Sequence, residues 1–289
     1  MTTREQWIAG ARPKTLPAAI APVLVGTSFA GYNSSFLHTL LALIVALALQ
    51  VGVNYANDYS DGIKGTDADR VGPMRLVGSG AASADAVKKA ALISFLISAL
   101  AGLILASRTS WLLIILGAIC ILAAWTYTGG PKPYGYQAMG EVSVFIFFGV
   151  VATVGTYYVQ TESISREVLL ASFAMGALAC AILVLNNLRD LPKDEMAGKK
   201  TLAVVMGDKS TRDLYKWLMF FALVMSVALT FFSFFYLLAL VSLPLVSKSV
   251  RAVSAGASGP ALIELLAKTG RIQIIYAVAL SFAAWLVAR

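Results

Sequence analysis

Charge is scarce in this sequence, and so are the side chains that usually build metal centres in soluble proteins. Charged residues fill 13% of the 289 positions, against about 25% in an ordinary soluble domain. There is one histidine, His38, which falls in a short loop where a solvated role is expected. The two cysteines, Cys120 and Cys180, are far apart and lie inside apolar stretches. They support neither a disulfide framework nor a thiolate metal site, and read as small buried residues. What is abundant is apolar: 58% of the residues, with a mean hydropathy of +0.77. A soluble chain of this balance would expose large apolar patches. No soluble domain of useful size remains.

The apolar residues fall in blocks close to the ~20 residues that a helix needs to cross hydrocarbon. In lipid the backbone must satisfy its own hydrogen bonds, so the blocks are helices. They lie near 17–32, 38–56, 89–106, 111–128, 139–159, 168–188, 214–230, 231–247 and 272–288. Residues 214–247 form one apolar run, too long for one helix and enough for a tight hairpin. The expected fold is all-α: a single polytopic membrane domain of nine transmembrane helices. The net charge of +8 finds its explanation in the positive-inside rule rather than in nucleic acid. With the N-terminus in the cytoplasm, every Lys and Arg falls on that side except Arg108, Arg166 and Arg289. The first span follows three basic residues and resembles a signal peptide. It is read as uncleaved, since its loss would invert the next span. The expected place is the plasma membrane.

The 15 acidic residues are not spread evenly. One group reads Asn54-Tyr55-Ala56-Asn57-Asp58-Tyr59-Ser60-Asp61-Gly62, with Asp67 and Asp69 after it. The other reads Asn186-Asn187-Leu188-Arg189-Asp190-Leu191-Pro192-Lys193-Asp194-Glu195. Asn57 with Asp61, and Asp190 with Asp194, stand four apart, so a continuing helix puts each pair on one face. Pro192 argues against a regular helix in the second group. Like charges so placed repel, and two such places in one chain ask for a cation. Oxygen ligands without His or Cys point to Mg²⁺ or a similar hard ion. Arg70 and Arg75 follow the first group, and Lys199 and Lys200 the second. Carboxylates that hold Mg²⁺ beside Arg and Lys suit two linked phosphates. A charged loop in a membrane protein is often no more than solvated surface, but here two match. Each leaves the end of an even-numbered helix, four helices apart, so the chain reads as two four-helix repeats (about 17–128 and 139–247) and a ninth helix. Such repeats would set the two groups across a cavity open to the cytoplasm.

These motifs resemble the UbiA superfamily of intramembrane prenyltransferases. That family carries Asn-Asp-x-x-Asp-x-x-x-Asp after its second helix, matched by Asn57, Asp58 and Asp61, with Gly65 where many members have Asp. Its second motif, Asp-x-x-x-Asp, falls on Asp190 and Asp194 and continues into Gly198-Lys199-Lys200-Thr201. Within the superfamily the chain looks most like the 1,4-dihydroxy-2-naphthoate polyprenyltransferases of menaquinone biosynthesis. The stretches that suggest it are Arg12-Pro13-Lys14-Thr15-Leu16-Pro17, Gly72-Pro73-Met74-Arg75-Leu76, and Tyr127 to Tyr136 with Gly140-Glu141. Many members have Tyr-x-x-x-Lys in that last loop, whereas Tyr127 and Lys132 stand five apart. The similarity runs from residue 12 to about 207.

The resemblance implies Mg²⁺-dependent transfer of a polyprenyl group from an allylic diphosphate to an aromatic acid, with loss of CO₂, giving demethylmenaquinone. It implies Asn57, Asp58, Asp61, Asp190 and Asp194 at the metal, with Asp58 either a ligand or an orienting group. Arg70, Arg75, Lys132 and Lys199 become diphosphate clamps, and Arg12 or Lys14 a holder of the acceptor carboxylate. Asn54, Tyr127 and Asn187 join the substrate contacts. Tyr55, Tyr59, Tyr134 and Tyr136 adjoin the motifs and are candidates for ring contact. For Glu141 a helix-dipole role suffices. The lipid bilayer is the one other expected partner. Two alternatives stand beside this reading: another aromatic acceptor, such as 4-hydroxybenzoate or homogentisate, and a secondary transporter with a cytoplasmic cation site.

Overall fold

The structure, a computed structural model, describes residues 2–65 and 74–289. Among them ten helices form and no strand. A short helix α1 (Arg4–Ala11) is closed at its start by a capping box between Thr3 and Gln6. It is followed by α2 (Pro17–Phe29), α3 (Phe36–Ile63), α4 (Ala84–Arg108) and α5 (Leu112–Thr126). The chain continues through α6 (Gly140–Thr161), α7 (Arg166–Met196), α8 (Leu202–Phe231), α9 (Phe234–Ser254) and α10 (Pro260–Val287). Seven of these, α3, α4 and α6 to α10, are long and apolar enough to cross a membrane, while α2 and α5 are shorter apolar helices.

Each of the nine apolar blocks coincides with one helix, but several helices outrun their block. α3 continues seven residues beyond the expected end, to Ile63, and α7 eight, to Met196. α8 begins at Leu202 and α10 at Pro260, each about three turns before its block. Length explains the excess: at ~1.5 Å per residue a 31-residue helix is longer than the ~30 Å of hydrocarbon. Its end therefore carries polar residues beyond the lipid. The doubt over Pro192 is corrected here. α7 is continuous through it, because the proline sits near the last turn and costs only one interior hydrogen bond, that to the Leu188 carbonyl.

Side chains are sorted for lipid. Along α4, Leu92, Leu96, Leu100 and Leu103 face outward, while Ala91, Ser94, Ser98 and Ala101 face the bundle. Small residues inside let helices approach where no hydrophobic effect drives them together. α7 is the central helix, with 78% of its apolar stretch buried, and it packs against α2, α6, α8 and α10. Its inner face is built from Ala171, Ala174, Gly176, Ala177 and Ala181. Where α6 crosses it, a Cβ on Gly149 would stand 2.4 Å from the Gly176 Cα. α6 bulges into a wider turn over Phe145–Val151 at that crossing, a common way to re-aim a helix near a site. Gly149→Val is expected to cost about 1–3 kcal/mol by overpacking. It should read as a lower thermal midpoint in detergent, and an unchanged midpoint would contradict the crossing.

Candidate active site

The C-terminal ends of α3 and α7, which carry the two acidic groups, open into one cavity of about 990 Å³. Its body is apolar, walled by Val45, Leu49, Ile121, Phe147, Phe148 and Leu183 among others. Its far end is polar. Asn57 and Asp61 arrive from α3, and Asn187, Asp190 and Asp194 from α7.

Asp61 is the meeting point. Buried to 3% exposure, it receives the Lys199 ammonium at 3.0 Å, the Arg75 guanidinium at 3.4 Å and the Tyr136 hydroxyl. Lys199 belongs to the turn after α7, so this ion pair ties the first acidic group to the loop that follows the second. Two backbone bonds hold that loop in place, from Lys200 N–H to the Tyr136 carbonyl (3.2 Å) and from Ala138 N–H to the Lys200 carbonyl (2.8 Å). Gly198, at φ +69°, makes the turn possible. Two ammonium groups lie over the Tyr136 ring, Lys64 at 4.9 Å and Lys199 at 4.8 Å from its centroid, both in attractive cation–π range. Lys64 also donates to the Thr128 carbonyl at 2.9 Å. Burial, seconded by Lys199, pushes the Lys64 ammonium below its usual range, with Asp61 opposing.

Across the cavity the Arg189 guanidinium forks onto Asp190 (2.7 and 2.8 Å) and reaches Asn186 at 2.8 Å. Sequence reasoning did not single out Arg189, Asn186 or Thr128. The signal was there for the first two: Asn186 lies four residues before Asp190, on its face of the helix, and Arg189 adjoins it in the chain. Thr128, which donates to the Asn57 Oδ1 at 2.6 Å, lies in a loop that no periodicity places.

Most of the expected substrate residues line this cavity: Arg12, Lys14, Asn54, Arg75, Tyr127, Asn187 and Lys199. Asn54 has a holding role as well, since its amide donates to the Ala11 carbonyl at 2.9 Å and to the Thr15 hydroxyl at 3.3 Å. That fastens the loop bearing Arg12 and Lys14 over the cavity. Tyr127 is walled in, and burial raises its hydroxyl far above the usual range, with Glu141 adding to the effect. It is a neutral group there. Of the other tyrosines, Tyr134 and Tyr136 line the cavity. Tyr55 donates instead to the Trp7 carbonyl (2.9 Å) and Tyr59 stacks on Trp125.

Two expectations change. Asp58 faces away from the cavity, and its two oxygens accept the backbone N–H groups of Leu76 (2.8 Å) and Val77 (3.1 Å). It anchors the segment that carries Arg75. Lys132 is exposed and lies outside the cavity lining, because its turn points the side chain to solvent. Arg70, with Asp67 and Asp69, lies outside the described residues. Among the described residues, no three His, Cys, Asp or Glu side chains gather closely enough to cage one metal ion. The donor set still fits magnesium. That ion is ordinarily held by one or two carboxylates plus substrate phosphate oxygens, keeping waters, rather than by an all-protein cage.

A helical membrane bundle whose apolar chamber ends in paired acids and bases defines a membrane-embedded enzyme for an amphiphile with a charged head. The chain belongs to the UbiA prenyltransferase family, whose model matches residues 19–256. It is 49% identical over 283 residues to the 1,4-dihydroxy-2-naphthoate octaprenyltransferase of Mycobacterium tuberculosis, covering 97% of each chain. To the enzyme of that name from Escherichia coli it is 38% identical, covering 92% of this chain and 90% of that one. Its fold is similar to that of a UbiA homolog from Archaeoglobus fulgidus solved with DMAPP and Mg²⁺, at a TM-score of 0.69, 16% identity, and coverage of 97% and 99%.

Proposed function

We propose that the protein transfers a polyprenyl group from an allylic diphosphate to 1,4-dihydroxy-2-naphthoate, with loss of CO₂. One observation carries the reading: Asp61 from α3 and Asp190 and Asp194 from α7 face a single cavity whose remainder is apolar. The relatives support it by name, being 1,4-dihydroxy-2-naphthoate octaprenyltransferases along nearly the whole chain. The Archaeoglobus homolog, with DMAPP and Mg²⁺, supports the diphosphate and the metal.

Asp61, Asp190 and Asp194 would hold a magnesium ion together with the diphosphate, and the ion would supply Lewis-acid stabilisation of the departing charge. Asn57 and Asn187 add neutral oxygens. Arg75, Arg189 and Lys199 stand where they can donate to the phosphate oxygens, Arg by its fork and Lys as a point charge. Breaking the allylic C–O bond sends its electron pair to the diphosphate and leaves an allylic cation. The apolar wall excludes water that would trap that cation. The naphthoate ring attacks through the carbon that carries its carboxylate, and a C–C bond forms. CO₂ then leaves, its bonding pair returns to the ring, and aromaticity is restored in the reduced, quinol form of the product. No strong protein base is required. Arg12 and Lys14, on the loop fastened by Asn54, hold the acceptor carboxylate until it is lost. Asp58 acts at one remove by fixing the Arg75 segment.

In this reading α2 to α10 make nine crossings. Two four-helix repeats, α2–α5 and α6–α9, each bring their second helix to the site, and α10 completes the bundle. The N-terminus and the polar end of the cavity face the cytoplasm.

The test is purified protein with Mg²⁺, a polyprenyl diphosphate and a panel of aromatic acids, read by product mass. Only the dihydroxynaphthoate should give product, lighter than the simple adduct by one CO₂. Product from 4-hydroxybenzoate alone, or product that keeps its carboxylate, would contradict the acceptor. Two lysines separate the cavity from the loop. Lys199→Ala should cut kcat/KM by about 10²-fold, the scale of losing one charge-stabilising donor, whereas Lys132→Ala should stay near the parent. Equal losses would overturn that distinction.

A further inference from the structure

Glu141, the second residue of α6, is nearly fully buried at 8% exposure. Its Oε1 accepts the Asn187 Nδ2 at 2.9 Å, while Oε2 has no hydrogen-bond partner among the described residues. Its backbone carbonyl is pinned by the Cys180 thiol at 3.0 Å. Burying a carboxyl group with one of its oxygens unmatched is costly, and a favourable helix-dipole interaction does not require the contact with Asn187. The consequence lies on α7. Asn187, Asp190 and Asp194 fall at i, i+3 and i+7, one stripe of the helix, and all three line the cavity. The Glu141 Oε1 is the acceptor in that contact, so the asparagine amide nitrogen, the donor, is turned toward it. The carbonyl oxygen is left facing the cavity beside Asp190.

We propose that Glu141 is a positioning residue, which orients the Asn187 amide so that Oδ1 serves as a neutral oxygen ligand for the metal–diphosphate head group. The inference rests on the magnesium–diphosphate reading above and gives that site a residue behind its ligands. Outer partners of this kind typically set metal affinity by ~10–100-fold. The close crossing at Gly149 and Gly176 is what brings the start of α6 against α7 at this level.

The experiment is Mn²⁺ binding, followed by electron paramagnetic resonance on detergent-solubilised protein with an unreactive geranyl diphosphate analogue. Glu141→Leu is expected to weaken Mn²⁺ binding ~10–100-fold. Glu141→Gln, whose carbonyl can still accept from Asn187, is expected to recover most of that loss. Asn187→Ala should lose as much as Glu141→Leu, and the double variant no more than either, since both act through one oxygen. A merely structural role would instead lower the thermal midpoint of all Glu141 variants and leave Mn²⁺ affinity alone. If Glu141→Leu or Asn187→Ala binds Mn²⁺ as the parent does, or if the two losses multiply, the proposal fails while the magnesium–diphosphate reading stands. Should Glu141→Leu not fold, Asn187→Ala decides alone. A parent protein that holds no Mn²⁺ with the analogue present overturns both.

Discussion

Asp61→Ala should lower prenyl transfer by roughly 10³-fold, at the upper end of what one charge-stabilising group contributes to a polar transition state. The size follows from how much converges on this carboxylate. It is the shared acceptor of Lys199, Arg75 and Tyr136, and among the described residues of the first acidic group it alone offers a charged oxygen to the cavity, since Asp58 is turned toward the backbone of Leu76 and Val77. On the proposed mechanism, removing it would take away a metal ligand and release the two cations assigned to the diphosphate. Breaking a sealed ion pair costs about 3–5 kcal/mol of stability. Here Lys199 and Arg75 can turn to water in the cavity, so the cost should be smaller and the bundle should survive. Asp61→Asn keeps the shape and an acceptor for Tyr136 but loses the charge, and should be nearly as inactive. Turnover assays beside size-exclusion profiles in detergent check both variants. Full activity in either removes the metal assignment.

Chelation is the second large effect. EDTA should bring turnover to the uncatalysed background, and added Mg²⁺ should restore it. The argument is one of charge. The diphosphate must approach Asp61, Asp190 and Asp194, and two like charges about 4 Å apart repel by ~4 kcal/mol at an effective dielectric near 20. Of the cations at that end, Arg75 and Lys199 already share Asp61, and Arg189 already forks onto Asp190. A divalent ion held by these carboxylates would offset that repulsion. Turnover that persists in EDTA would contradict the mechanism.

The parts of this fold legible in sequence were those written by composition and period. Each apolar block marks a helix because lipid leaves the backbone no other choice. Asn57 with Asp61, and Asp190 with Asp194, could be placed on shared faces because both lie within helices. Helix ends were less legible, since α3, α7, α8 and α10 extend past the lipid on residues that hydropathy does not mark. What sequence could not give was the direction of single side chains. Asp58 lies three residues before Asp61 and looks equivalent to it, yet one is spent on backbone amides and the other on the cavity. Lys132 and Lys199 are both basic residues of loops that carry glycines. Their fates are decided by the clip between Tyr136, Ala138 and Lys200, a long-range contact without local trace. Glu141 was legible as a helix-terminal acid but not as the partner of Asn187, which depends on the α6–α7 crossing.

The most direct test is the position of Mn²⁺, located by anomalous scattering in crystals of this protein grown with the geranyl diphosphate analogue. The peak should lie at the polar end of the cavity, within coordination distance of the diphosphate, of Asp61, and of Asp190 or Asp194. A diphosphate bound elsewhere, or metal held by one motif with the other facing away, would contradict the account.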